Sequence, residues 1–119
     1  MDAVLAALGQ WGFGGVLVTL VFAPLGWGIA ASSDPGPRWP EACEIVIDPE
    51  KMTEFTILHE VGHCVGYFNV TLGVGPRQDH SLDPRSVMNE RPGPEITDAD
   101  RLVVMSTRRW MPYKVRVAF

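Results

Sequence analysis

The chain has 119 residues, enough for one domain, and its 14 acidic against 10 basic side chains leave a formal charge of −4. That balance excludes nucleic-acid binding through a net basic surface, and no internal repeat or low-complexity tract points to an array. The charge is unevenly spread, since residues 3–33 carry none at all.

The first element predicted is therefore apolar. The stretch from Trp11 to Ile29 is long enough for a transmembrane helix, which needs about 20 such residues. Trp11 and Trp27 fall about 24 Å apart along a helix, suited to the two interfaces. Cleavage as a signal peptide at residues 28–30 or 30–32 is the competing reading, and it would make the protein secreted. The positive n-region is missing, because Asp2 is the only charge before the apolar run, so a retained single-pass anchor is preferred. Residues 1–31 are assigned to this anchor, with membrane lipid as its partner through residues 11–29. Residues 32–40 hold three prolines, a glycine and two serines and read as a linker. Arg38, on the C-terminal side, favours a cytoplasmic catalytic part under the positive-inside rule. A Cys43–Cys64 pair would instead imply export; unpaired, Cys64 reads by default as a small buried apolar residue. Asn69-Val70-Thr71 is a glycosylation sequon, meaningful only in a secretory context.

Glu44 to Asp48 predicts a short strand. Asp48-Pro49 follows as a helix start, a capping side chain before a proline. Ile57, Val61 and Val65 recur at helical spacing with Leu58 beside them, an apolar stripe to bury. Gly66 is expected to end the helix through a positive φ. On this helix stands His59-Glu60-Val61-Gly62-His63. Two imidazoles four residues apart share one helix face beside a carboxylate, the arrangement of a zinc hydrolase. A catalytic zinc takes three protein ligands and keeps one position for water, so a third is needed. His80 is the remaining histidine, in His80-Ser81-Leu82-Asp83-Pro84-Arg85-Ser86-Val87-Met88. Asp79 or Asp83 are alternatives for that place, although Asp83 before Pro84 reads more simply as a turn former. Glu90 and Glu95 would serve if a downstream glutamate completed the site, but they lie in a proline- and glycine-rich stretch.

With those residues the chain resembles the metzincin peptidases, most closely the matrixin branch. His59, Glu60, His63 and Gly66 match the family's HExxHxxG helix. His80, Ser81, Asp83, Pro84 and Met88 match its H-S-x-D-P-x-x-x-M segment, whose methionine forms the Met-turn beneath the metal. The resemblance implies Zn2+ held by His59, His63 and His80, Glu60 as general base, Met88 as a structural floor and a peptide or protein as substrate. It also implies a substrate-binding edge strand before the helix and a pocket wall formed by Asn89–Pro94. In two respects the chain departs from the family. Asn69 occupies the usual place of the third histidine, and His80 comes eleven residues later. Residues 70–79 then read as an inserted loop, whose closure entropy grows only logarithmically, so His80 is still expected at the metal. The family's earlier strands and first helix are also missing, so bound zinc should matter more to folding.

Thr97 to Asp100 spells a capping-box-like helix start, with the helix expected to run to about Trp110 and to bury Ala99, Val103, Ser106 and Trp110. Tyr113 to Phe119 alternates like a terminal strand, and its basic side chains would suit anionic lipid. The expected fold is α+β: a minimal zincin-like core over residues 41–119, with an active-site helix, few short strands and a C-terminal helix, behind a transmembrane helix. The expected function is a zinc-dependent endopeptidase. The alternative is a membrane-anchored, non-catalytic binding module stabilised by zinc, marked by a fourth protein ligand such as Asp79, Asp83 or Cys64.

Overall fold

The computed structural model describes residues 2–11, 17–26, 29–34, 42–67 and 80–108. In chain order these form α1 (Asp2–Gln10), β1 (Leu17–Phe22), β2 (Ala31–Asp34), β3 (Ala42–Ile47), α2 (Thr56–Val65) and α3 (Asp98–Arg108). The architecture is α+β, a three-stranded mixed sheet with helices.

β3 is the central strand because its alternation gives it one face to bury. Cys43, Ile45 and Ile47 are buried while Glu44 is exposed. Each isoleucine contributes roughly 2 kcal/mol by leaving water. β1 pairs parallel with β3, and β2 pairs antiparallel with its other edge, Ala31 opposite Ile47 and Ser33 opposite Ile45. The buried face of β3 is bonded to α2 by the Cys43–Cys64 disulfide, Cα to Cα 5.9 Å. The cysteines are thus paired, and Cys64 is not the free apolar residue that burial alone suggested.

The apolar N-terminal segment is not one helix. Val18, Thr19 and Val21 favour an extended chain, and Pro24 interrupts any helix through them, so residues 17–22 form β1. Among the described residues no helix is long and apolar enough to cross a membrane. Nor does the segment stand apart: Ala7, Leu8 and Trp11 join the core that holds Val61, Val65 and Met88. The Trp11 indole donates to the Leu58 carbonyl at 2.9 Å, fixing α1 to α2. The expected linker is also shorter, because residues 32–34 belong to β2.

The histidine-bearing helix begins later than Asp48. The Asp48 carboxylate accepts from the backbone of Glu50 at 3.0 Å and of Leu25 at 3.2 Å, and Lys51 pairs with it at 3.4 Å. Lys51 also donates to the Leu25 and Gly26 carbonyls, 3.1 Å each. Asp48 therefore anchors the 23–26 turn instead of capping a helix, and α2 starts at Thr56, whose hydroxyl accepts from Thr53 N–H at 2.6 Å.

Gly66 ends α2 with φ of −166°, not the positive value expected. Space is what excludes a side chain there: a Cβ would lie 2.9 Å from Val104 Cγ2 and 3.1 Å from its Cα. α3 does begin with the expected capping box, Asp100 N–H donating to Thr97 Oγ1 at 3.2 Å and Thr97 N–H to Asp100 Oδ2 at 2.9 Å. Its buried face differs from the expected one, for Asp100 and Val104 turn inward while Ala99 and Ser106 are exposed. Trp110, the alternating tail, the sequon and the 70–79 insertion lie outside the described residues.

Candidate metal centre

α2 buries Val61, Cys64 and Val65 against the sheet and core, which turns His59 and His63 toward the opposite side, into a cleft. The Nε2 atoms of the two rings are 3.1 Å apart. His80 opens the next described segment, its ring centroid 5.3 Å from that of His59 and 5.0 Å from that of His63. One ligating atom from each of the three histidines lies within 4.8 Å of the others, so this group can hold a metal ion.

The outer nitrogens decide which atoms face the ion. His59 Nδ1 sits 2.6 Å from the Val87 carbonyl and His63 Nδ1 2.7 Å from the Tyr67 carbonyl. A carbonyl oxygen only accepts, so both Nδ1 atoms carry their protons and both neutral rings present Nε2 lone pairs. Two lone pairs held 3.1 Å apart repel unless a proton or a cation lies between them. Burial, the largest influence, pushes the His59 pKa down; the Val87 carbonyl acts oppositely, and the charge of His80 lowers it further. A cation held between the Nε2 atoms would relieve that repulsion.

Beneath the histidines lies Met88, fully buried, with its sulfur against Gly62 between the two helical ligands. A Cβ on Gly62 would overlap that sulfur and come within 2.8 Å of Trp11 Cζ2. The Met88 turn is held by a buried polar cluster. Ser86 Oγ donates to Asp100 at 2.7 and 2.9 Å and accepts from Met88 N–H at 2.9 Å. Tyr67 donates its hydroxyl to Asp100 at 2.5 Å, and burial together with that carboxylate pushes the phenol pKa up. Ser81 N–H donates to the Met88 carbonyl at 2.9 Å, which ties the turn to the residue after His80.

Glu60 is 4% exposed, and burial raises its pKa to about 7. Working the other way is a hydrogen bond from Ser33 Oγ to Glu60 Oε1 at 3.1 Å. The carboxylate and the three histidines line an open cleft of about 610 Å3, with Ala31 and Ser33 of β2 on one wall and Glu90 and Pro92 on another.

The structure thus brings together His59, His63, His80, Glu60 and Met88. Asp83 stays apart from the ligand group and is tied to Arg85 at 3.1 Å. Cys64 is bonded to Cys43 and holds no thiolate for a metal, whereas Asp79 lies outside the described residues. Glu90 lines the cleft without joining the ligands. Sequence reasoning missed Ser33, placed in the linker, and the part Asp100 plays under the Met88 turn. β2 carries no apolar alternation to announce it, and Asp100 was legible only as a helix-cap partner. No family model, characterised protein or solved structure matches the chain significantly.

Proposed function

We propose that the chain is a zinc-dependent endopeptidase of metzincin type, similar to the matrixins. One observation carries this reading: three imidazoles converge beside a single buried carboxylate at the floor of an open cleft. When bound, zinc supplies a Lewis acid that polarises the scissile carbonyl and acidifies water. Zinc is favoured by the neutral all-imidazole donor set and by the three-ligand count of a catalytic site.

The chain's own groups do the rest. His59 and His63 would hold the ion through Nε2, because their Nδ1 protons are held by backbone carbonyls, and His80 would complete the set. Glu60 accepts the proton of the attacking water and hands it to the leaving amine. A carboxylate with pKa near 7 is a stronger base than an exposed one, although a nearby cation draws that value down. The peptide lies in the cleft between β2 and the Glu90–Pro92 wall. The Cys43–Cys64 bond supports an oxidising compartment for the domain. α1 belongs to the proposed enzyme, since it supplies part of the core behind the ligands.

The test is to load the full chain with zinc, count the metal and follow hydrolysis of casein and of a quenched-peptide library with and without a chelator. Expected are one zinc per chain, chelator-sensitive cleavage, and a Glu60→Gln variant that keeps zinc but is slower by about 100-fold or more. Cleavage by Glu60→Gln at the parent rate would remove Glu60 from the mechanism. Stoichiometric zinc without any cleavage would favour the non-catalytic, zinc-stabilised binding module.

A further inference from the structure

We propose that Ser33 is a positioning residue for Glu60: its hydroxyl holds one carboxylate oxygen so that the other is presented to the cleft. The inference rests on the peptidase reading for its consequence, but its geometry stands alone.

Strand alternation places Ser33 where it must be. Ser33 is opposite Ile45, which is fully buried on the face of β3 turned to α2, whereas the neighbouring Ser32 is exposed. Ser33 therefore points at α2, and its Oγ donates to Glu60 Oε1 at 3.1 Å. Among the described residues no other group hydrogen-bonds the Glu60 side chain, so Oε2 is left toward the cleft that both residues line. A glutamate has three side-chain torsions to fix. One directional bond from a rigid donor selects among the remaining rotamers.

The donor is held because its strand pairs with β3, which is cross-linked to the helix that bears the acceptor. β2 is paired with β3 through Ser33–Ile45, and two residues earlier on β3 Cys43 is joined to Cys64, four residues beyond Glu60 on α2. The carboxylate thus lies inside the loop that the disulfide closes, and the hydroxyl is held to that loop by the β2–β3 ladder. A proton acceptor needs this, because misplacement by a fraction of an ångström lengthens the proton-transfer distance.

The experiment compares zinc-loaded wild type, Ser33→Ala and Ser33→Thr for zinc content, kcat, KM and the crystallographic position of the Glu60 carboxylate. Ser33→Ala is expected to keep one zinc and an unchanged KM while kcat falls by about 10-fold, the loss of one hydrogen bond to a charged group. Its Glu60 should leave the wild-type position or spread over two rotamers. Ser33→Thr retains the hydroxyl and should recover both the position and most of kcat. A Glu60 that stays in place in Ser33→Ala overturns the assignment, and so does a kcat loss that threonine fails to repair. If the wild type binds zinc and cleaves nothing, the peptidase reading fails separately, and the Glu60 position still decides the role of Ser33.

Discussion

Glu60 and Gly62 show how far single positions can be argued. The Glu60 carboxyl titrates near 7 in the fold against an ordinary value of 4.5, so the folded protein holds its proton more tightly than the unfolded chain does. Stability from this group is present below pH 4.5 and is lost as pH rises through 7. Metal-free Glu60→Gln should accordingly be more stable than the metal-free parent at pH 8, by on the order of 1–3 kcal/mol, with the gap closing toward pH 4.5. Urea melts at the two pH values check this, and a gap that does not change with pH would refute it. Gly62 poses a contest between two effects. An alanine in a helix interior gains about 1 kcal/mol over glycine, but here its methyl meets Met88 and Trp11. The methionine can shift; Trp11 is held by its bond to the Leu58 carbonyl. Gly62→Ala should therefore lose about 1–3 kcal/mol net, and an unchanged or raised denaturation midpoint would show that the site has slack. The place of Glu60 between two histidines was readable in the sequence, but the rise in its pKa was not, since burial is a property of the packed cleft.

At the scale of elements, two cross-links set the geometry around the three histidines. The Cys43–Cys64 bond closes a 21-residue separation between β3 and α2, and removing it with paired Cys→Ser changes should cost about 3 kcal/mol. A double variant that melts with the parent would mean that the sheet and helix are fully held by packing. The second link is polar. Asp100 on α3 accepts from Tyr67, Ser86 and Thr97, all donors, so Asp100→Asn turns an amide N–H toward at least one of them. That change should destabilise the fold by about 2 kcal/mol and, through the Met88 turn and the Val87 carbonyl on His59, weaken zinc binding by roughly 10-fold. Competition with a metallochromic chelator measures the affinity; an unaltered constant would detach α3 from the site. The start of α3 was legible because a capping box is local. Its buried face was not, because apolar spacing cannot anticipate an aspartate drawn inward by three donors.

For the whole molecule, the question is how much of the stability depends on metal. The described sheet has only three strands, so a ligand that binds the folded state alone carries unusual weight. At about 1,000 times its Kd a bound ion adds about 4 kcal/mol, which for a chain of this size moves Tm by roughly 10–20 °C. Stripping zinc should lower Tm by that order, and restoring it should recover the parent value. A Tm indifferent to chelation would argue against the three-histidine site. Acid should act in the same sense, because the His59 pKa is pushed down by burial and its neutral form is the folded one. The stability it lends is present above pH 6.5 and falls away as pH drops below it.

The histidine group, the carboxylate beside it, the β3 strand and the cap of α3 could be read from the chain alone, because each is written in spacing or in a local hydrogen-bond pattern. The N-terminal segment could not: apolar composition is common to a membrane helix and to a chain that buries itself in a core, and only tertiary packing made residues 2–10 a helix and 17–22 a strand. Packing likewise brought His80 to two histidines distant in the chain, joined the two cysteines and turned Ser33 onto Glu60. Those contacts link residues distant along the chain, and local sequence preferences carry no information about which distant surfaces will meet.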